Sequence, residues 1–147
     1  HGDSARTFFC GKVSDEAVLL EKAAREGFYA GMAKAVPGNR IGDISAAIEE
    51  VVTSYGFSIV REYVGHGVGR ALHEDPDVPN YGRAGRGVRL CEGMVIAIEP
   101  MINTGTEKVK VLDDEWTVKT LDGGLSAHYE NTVAITADGP VILTKLD

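Results

Sequence analysis

Four side chains that can bind a metal ion stand where we expect strands or tight loops. Asp3 lies near the start of the chain, His66 lies in a glycine-rich run, Glu99 follows an apolar run and Glu130 lies in a strand-like segment. Three carboxylates and one imidazole form an oxygen-rich ligand set, which suits manganese, iron, cobalt or zinc. Carboxylates can also bridge two ions, as in two-metal hydrolytic centres. By themselves, these residues support a hydrolase only as a hypothesis.

Each carboxylate also has a simpler interpretation. Glu99 comes directly after the apolar run 95–98, so we expect it to face the interior or a cleft. A buried carboxylate is costly unless it is paired or bound to a metal. Alternatively, Glu99 ends its strand in solvent, and Glu130 lies on an exposed strand edge. Asp3, so near the first residue, is by itself expected to be exposed.

The histidines differ in what their surroundings indicate. His66 has glycines on both sides, which allow the backbone to bend sharply and to approach a ligand closely. His73, seven residues later, is a second metal ligand, a contact for substrate or an exposed turn residue. His128 alternates in phase with Glu130, so both should face the same side of one strand. We interpret His128 as a neighbour of the site and not as a ligand.

Two helices and a series of short strands must position these side chains. Residues 3–10 predict a strand, and Ser14 is the predicted N-cap of a helix that runs to about residue 35. Small residues on one face of this helix predict close packing against another element. A second helix is predicted to begin after Asp43, where apolar residues recur with helical spacing as far as Tyr55.

The rest of the chain predicts strands and loops. The expected strands are 57–63, 94–98, a hairpin of 108–112 with 116–120, 126–136 and 141–143, and residues 76–93 form a predicted loop rich in proline and glycine. One strand, two helices and then mostly antiparallel strands make an α+β fold. The length of 147 residues fits a single domain, which we assign to residues 1–147.

Composition narrows the class of protein. The chain is 44% hydrophobic and 25% charged, with a net charge of -7, so it lacks the basic footprint of a nucleic-acid-binding protein. The sequence has no apolar run that approaches the roughly 18 residues of a membrane span, and no signal peptide is recognised. The two cysteines, Cys10 and Cys91, are expected to be free, buried thiols. We therefore expect a cytoplasmic protein without nucleic-acid or membrane partners.

Several short motifs resemble, in the same order, the signatures of type I methionine aminopeptidases of peptidase family M24. They are HGD at 1–3, GHGVG at 65–69 with LHEDP at 72–76, IEPM at 98–101, WTVKT at 116–120 and SAHYENT at 126–132. Together they extend over nearly the whole chain. The sequence departs from the family at Asn131, where a histidine is frequent, and at Cys91.

The resemblance implies a fold and a metal centre. The fold would be the C-terminal half of the "pita-bread" fold, with two helices packed on a mostly antiparallel sheet. Two divalent ions (Co, Mn, Fe, Zn or Ni) would be held by five side chains, of which Asp3, His66, Glu99 and Glu130 match four. The fifth, an Asp on a strand before HGD, has no match. We therefore expect a catalytic portion that lacks its N-terminal part and retains one ion site.

The resemblance also implies roles and partners. Glu99 would be ligand and general base, and His73 would bind the scissile carbonyl or the peptide. Leu72 and Trp116 would contribute to the apolar pocket for a methionine side chain. The implied function is removal of the initiator methionine from nascent polypeptides by attack of hydroxide on the first peptide bond. Association with the ribosome is a further expectation.

Two other functions stay open. A proline-specific relative, such as a prolidase or aminopeptidase P, is disfavoured by IEPM and WTVKT. A non-catalytic binding module of the same fold is disfavoured because all four available ligand positions are intact. We expect the chain by itself to be inactive or weakly active. We also expect it to self-associate or to need its N-terminal part, because an incomplete sheet exposes apolar surface.

Overall fold

The computed structural model describes residues 1–145. The first helix, α1, spans Asp15–Met32 and begins where the sequence predicts, because the Ser14 hydroxyl accepts a hydrogen bond from the backbone N–H of Ala17. The helix ends three residues earlier than the predicted end near residue 35. The next residues form tight turns instead, in which the Lys34 N–H donates to the carbonyl of Gly31.

The second helix, α2, spans Ile41–Ser54 and packs closely against α1. Gly27 and Gly31 of α1 face this contact, and a Cβ built on Gly31 would lie 2.6 Å from Cγ1 of Ile48. The predicted close packing of the small residues of α1 is therefore confirmed. Ile44, Ile48 and Val52 of the apolar stripe of α2 are fully buried.

Asp43 ties the start of α2 to a distant loop. Its carboxylate accepts hydrogen bonds from the backbone N–H groups of Arg40, at 2.7 Å, and Gly85, at 2.8 Å. These two bonds, from Arg40 first and Gly85 second, hold the pKa of Asp43 below its ordinary value. The N-terminal end of α2 is thereby fixed against residues 82–90.

Within residues 1–145 the structure contains eleven short strands. They are β1 (Ser4–Ala5), β2 (Ser58–Ile59), β3 (Gly65–Gly67), β4 (Glu74–Val78), β5 (Val95–Ile98), β6 (Met101–Asn103), β7 (Val109–Val111), β8 (Val118–Thr120), β9 (Ser126–His128), β10 (Glu130–Thr136) and β11 (Gly139–Ile142). The main sheet has the order β1-β10-β5-β3-β4, and β11 also pairs with β10. A second sheet has the order β2-β6-β9, and β7 and β8 form the predicted hairpin. All of these pairings are antiparallel.

Two predicted strands differ from the observed ones for one reason. The predicted strand 126–136 is divided at Tyr129, because β9 pairs with β6 of the second sheet whereas β10 pairs with β5 of the main sheet. The predicted strand 3–10 is reduced to β1, whose partner strand begins at Glu130. After β1, the chain is held by a side chain instead of backbone pairing. The Thr7 hydroxyl donates to the His128 carbonyl and accepts from the His128 N–H.

Other details of the sequence analysis also need correction. The predicted loop 76–93 begins later, because residues up to Val78 belong to β4. The last strand begins at Gly139 instead of residue 141. Both cysteines, predicted to be buried, are exposed. Cys10 follows the short β1, and Cys91 lies in the turn before β5.

The two helices cover the sheets and form one hydrophobic core with them. Helix α1 contacts β5, β6 and β9, and α2 contacts β2 and β4. The core includes Phe28 of α1, Ile48 of α2, Ile96 of β5 and Val133 of β10. Burial of these apolar side chains is the main stabilising term. No helix within residues 1–145 is long and apolar enough to cross a membrane.

Candidate metal centre

Four neighbouring segments of the main sheet each contribute one of the predicted ligands. Asp3 comes just before β1, Glu130 is the first residue of β10, Glu99 follows β5, and His66 is the middle residue of β3. Because these strands are adjacent in the order β1-β10-β5-β3, the four side chains meet although they are far apart in the sequence.

The ligand atoms surround the imidazole of His66. Its Nε2 atom lies 3.5 Å from Oδ2 of Asp3 and 3.4 Å from Oε1 of Glu99. One ligand atom from each of His66, Glu99 and Glu130 lies within 4.8 Å of the other two. The sheet therefore brings three carboxylates close to the imidazole of His66.

The orientation of His66 is fixed by its own backbone. Its Nδ1 atom lies 2.9 Å from the carbonyl oxygen of Gly67. Because a carbonyl only accepts hydrogen bonds, Nδ1 carries the proton and Nε2 keeps a free lone pair. The flanking glycines are needed here, since a Cβ on Gly65 or Gly67 would lie less than 3.0 Å from a backbone oxygen of Ala97 or Asp75, respectively.

Glu130 is the most buried carboxylate of the set, with 4% of its surface exposed. Burial is the main cause that raises its pKa to about 8, and the carboxylates of Glu99 and Asp3 raise it further. Arg6 acts in the opposite direction. Its guanidinium group donates to the backbone carbonyl of Glu130 and lies 4.0 Å from the centre of the Tyr129 ring. The cluster thus concentrates negative charge that a cation would offset.

These residues fit a divalent ion. Two ligand atoms bound at about 2.1 Å with a tetrahedral angle lie about 3.4 Å apart. The separations around His66 Nε2 are 3.4 and 3.5 Å. An imidazole with a free lone pair and buried carboxylates are ligands for Mn, Fe, Co, Ni or Zn. Asp3, His66, Glu99 and Glu130 would hold the ion.

His128 lies next to this set of residues. Its Nε2 atom is 3.5 Å from Oε2 of Glu99 and 4.0 Å from Oε2 of Glu130. Among the described residues, this buried nitrogen has no hydrogen-bond partner. It faces Oε2 of Glu99, whereas His66 faces the other carboxylate oxygen, Oε1. The predicted position next to the site is confirmed.

His73 stands at the exposed side of the set. The centre of its ring lies 4.2 Å from that of His66, with the ring planes inclined at 59°. Ring or carboxylate atoms of Asp3, His66 and His73 lie within 4.8 Å of one another. His73 precedes β4, which pairs with β3, and this pairing brings the two histidines together.

Comparison with known proteins shows the family of this chain. A model described as metallopeptidase family M24 matches residues 1–137. The chain belongs to this family. Methionine aminopeptidase of Clostridium acetobutylicum is 59% identical over 143 residues, which are 97% of this chain and 57% of that protein. Methionine aminopeptidase 1 of Bacillus subtilis is 52% identical over 146 residues, which are 99% of this chain and 59% of that protein.

Solved structures of similar proteins show the same fold. The crystal structure of methionine aminopeptidase from Thermotoga maritima superposes with a TM-score of 0.96 at 48% identity, covering 99% of this chain and 58% of that one. Prolidase from Pyrococcus furiosus superposes with a TM-score of 0.74 at 27% identity, covering 99% of this chain and 37% of that one. The predicted α+β, pita-bread fold is confirmed. This M24 chain spans 57–59% of the length of the two curated relatives described above.

The other predicted contacts of the M24 site are exposed. Leu72, next to His73, is 37% exposed, and Trp116, in the turn between β7 and β8, is 87% exposed. An indole so open to solvent forms no wall of an enclosed pocket within residues 1–145, so its role in binding methionine stays a prediction. A cavity of about 530 Å³ lies between α2 and residues 75–88, and none of the predicted site residues lines it.

Two residues that support the site were missed by the sequence analysis. Thr132 fixes Asp3, because its hydroxyl accepts from the Asp3 N–H at 2.8 Å and donates to the Asp3 carbonyl at 2.9 Å. Asn80 donates to the backbone carbonyl of Glu99 at 3.1 Å and is fully buried. Thr132 could have been identified from the SAHYENT motif, to which it belongs. Asn80 lies just after β4 and belongs to none of the motifs quoted above.

Proposed function

We propose that this protein provides the metal-binding part of a methionyl aminopeptidase, which removes the N-terminal methionine from polypeptides. The observation that carries the proposal is the convergence of Asp3, His66, Glu99 and Glu130 on four adjacent segments of an M24 fold. The greater similarity to methionine aminopeptidases than to a prolidase supports methionine over proline-specific cleavage.

The four residues would hold at least one divalent ion, with Co, Mn, Fe, Zn and Ni as the candidates. A bound ion would supply Lewis-acid chemistry, because it polarises the carbonyl of the peptide bond and lowers the pKa of water. The carboxylates of Asp3 and Glu130 face the same region as Glu99. Their negative charges favour the binding of a positive ion there. A second ion, expected from the resemblance, would share Asp3 and Glu130.

Glu99 is the residue that we assign to proton transfer. Its Oε1 atom faces Nε2 of His66, and its Oε2 atom faces Nε2 of His128. The Glu99 carboxylate thus lies between two imidazoles, where it can accept the proton of the attacking water. It can then donate this proton to the amine that leaves when the peptide bond breaks.

His73 and its neighbours are assigned to the substrate. The imidazole of His73 is exposed and lies beside His66, where it can donate a hydrogen bond to the scissile carbonyl and favour the negative charge that develops on it. Leu72 and Trp116, both exposed, offer apolar surface for a methionine side chain.

The expected partners are nascent polypeptides in the cytoplasm, with contact to the ribosome as a further proposal. The exposed Phe8 and Trp116 are apolar side chains suited to contact with other polypeptide, including a second copy of the chain. We expect the 147-residue chain alone to bind one ion and to release methionine slowly or not at all, since the relatives are longer.

A chimera tests the function independently of chain length. The matched 143 residues of the Clostridium acetobutylicum protein would be replaced by this chain, and release of methionine from a Met-Ala-Ser peptide would be measured with Mn, Co or Fe. We expect release that depends on the ion and is lost in Glu99→Gln. A folded chimera that releases no methionine with any of these ions would refute the proposal. Faster cleavage of an Xaa-Pro peptide would favour the proline-specific alternative.

A further inference from the structure

His66 belongs to two groups of possible ligands that differ in chemistry. An inner group combines it with Glu99 and Glu130, and an outer group combines it with Asp3 and His73. In each group the ligand atoms lie within 4.8 Å of one another. The inner group is rich in carboxylates and largely buried, whereas the outer group has two imidazoles and opens to solvent at His73.

The two groups cannot bind ions through His66 at the same time. The Nδ1 atom of His66 donates to the carbonyl of Gly67, which leaves Nε2 as the only lone pair available. This atom lies 3.4 Å from Glu99 Oε1 and 3.5 Å from Asp3 Oδ2, so it faces both groups equally. An ion bound through Nε2 therefore takes either the inner or the outer neighbours as its main partners.

We propose that the outer group is an alternative ion position, formed by Asp3, His66 and His73. Two imidazoles and one carboxylate with an open fourth place match the ligand number of a zinc site that keeps a water. The inner group, with more carboxylate oxygen, is the better match for manganese. The nature of the ion thus selects the position, and zinc or nickel occupies the outer one.

The surroundings of His73 allow this binding. His73 is exposed and lies between residues 69–72, which form bends, and the start of β4. Its ring is inclined at 59° to that of His66 and already lies in contact with it. A small rotation of an exposed side chain costs little, so a ring nitrogen can move into the bonding distance of about 2.1 Å.

The outer position has a consequence for the proposed function. A ring nitrogen of His73 that binds an ion cannot at the same time donate a hydrogen bond to a substrate carbonyl. An ion in the inner position leaves the His73 ring free to bind substrate. An ion in the outer position occupies a ring nitrogen of His73, which then cannot bind substrate. The inference rests on the proposed function only in assuming that His66 binds an ion, and it does not require peptidase activity.

Nitrogen NMR of the histidine side chains tests the proposal directly. The chain contains four histidines, so each ring can be assigned by single substitution. One equivalent of Zn²⁺ is expected to shift a ring nitrogen of both His66 and His73, and one equivalent of Mn²⁺ is expected to bind without requiring His73. His73→Gln should weaken Zn²⁺ binding at least about tenfold. Loss of a residue that merely hydrogen-bonds a ligand already lowers metal affinity about 10–100-fold, and His73 would be a ligand itself. It should leave Mn²⁺ affinity unchanged.

Glu99→Gln is the matched variant, because it alters only the inner group. It should weaken binding of Mn²⁺ and leave the Zn²⁺ shift at His73 in place. The proposal is overturned if Zn²⁺ shifts His66 but not His73, or if His73→Gln leaves the affinity for Zn²⁺ unchanged. If neither ion binds to a folded chain, the metal binding of the proposed function is overturned as well, so the two failures are distinguishable.

Discussion

The ligand residues of this chain oppose one another in the absence of an ion. Glu130 is buried, and the carboxylates of Glu99 and Asp3 both raise its pKa. Arg6 acts against this effect, but its guanidinium group donates to the backbone carbonyl of Glu130 and not to the carboxylate. A buried charge without a full partner lowers the stability of the fold. The same buried carboxylates that lower the stability of the metal-free chain should raise its affinity for a divalent ion.

Glu130→Gln should therefore raise the stability of the metal-free chain and lower its affinity for the ion. The raised pKa of about 8 keeps this carboxyl largely protonated in the metal-free folded chain at neutral pH, whereas the unfolded chain ionises it freely. Gln does not ionise in either state, so the free energy of unfolding of the metal-free chain should rise by about 1 kcal/mol. Affinity for Mn²⁺ should fall at least about tenfold, because a ligand is lost. Urea unfolding with a chelator and a calorimetric titration measure the two effects. A less stable metal-free variant would contradict the prediction.

His128 is expected to act through Glu99. Its buried Nε2 atom has no partner among the described residues and lies 3.5 Å from Glu99 Oε2. In the ion-bound chain we expect Nε2–H to donate to this oxygen and to orient Glu99. His128→Phe should then lower Mn²⁺ affinity by about 10–100-fold. His128→Gln, which keeps a donor, should recover most of the loss in the same titration. Equal affinities for both variants would exclude this role.

The sequence predicts which residues meet at the candidate site better than it predicts which residues hold them in place. Asp3, His66, Glu99 and Glu130 could be named because their types and motifs are distinctive, and the sheet brings them together. Asn80 could not be named, because an Asn in a loop has many ordinary uses. Its contact with Glu99 depends on a pairing across the sheet that no local pattern specifies.

At the scale of elements, close approach of β3 and β4 sets the position of His66. A Cβ on Gly67 would lie less than 3.0 Å from backbone atoms of Asp75, which cannot move aside as a flexible side chain can. Gly27 in α1 differs, because the nearest atom to its Cβ would be the side-chain Cγ2 of Val52 at 3.2 Å.

These two glycines give a matched pair of variants. Gly67→Ala should lower the free energy of unfolding by about 1–3 kcal/mol, as overpacking does, and should also weaken ion binding because His66 moves with β3. Gly27→Ala should change stability by no more than about 1 kcal/mol, since the gain in helix propensity offsets the contact. It should leave ion affinity unchanged. Denaturant unfolding and titration of both variants check this, and unchanged ion binding in Gly67→Ala would contradict it.

Asp43 gives a prediction for the dependence of stability on pH. Its pKa is lowered in the folded chain by hydrogen bonds from the Arg40 and Gly85 N–H groups. A lowered pKa contributes stability that is present above the unfolded value of about 3.9 and is lost as the pH falls through the folded value. The difference in unfolding free energy between wild type and Asp43→Asn should therefore be larger at pH 6 than at pH 3. Urea unfolding at both pH values measures it, and a constant difference would refute it.

Helices were more predictable than strands in this fold. The N-cap Ser14 and the stripe of Ile44, Ile48 and Val52 are local signals, and both helices form where these signals lie. The strand boundary at Tyr129 is not local. It is set by the change of partner from β6 to β5, and these strands lie about 30 residues earlier in the chain.

At the scale of the whole molecule, the metal centre joins distant parts of the chain. Its predicted ligands extend from Asp3 to Glu130 and belong to four adjacent segments of one sheet. Unfolding separates these segments, so an ion that binds them all binds the folded chain and not the unfolded one. Ion binding must therefore stabilise the entire fold and not only the loops around the site.

The last prediction follows from this linkage. At an ion concentration of 100 times Kd, binding adds about 2.7 kcal/mol to the free energy of unfolding. For a chain of this size each kcal/mol raises Tm by about 2–4 °C, so Tm should rise by about 5–10 °C. His66→Ala removes the ligand shared by both ion positions and should abolish the shift for Mn²⁺ and Zn²⁺ alike. His73→Gln should reduce it for Zn²⁺ alone. A scan in which wild type and His66→Ala gain the same Tm would show that the stabilising ion binds elsewhere.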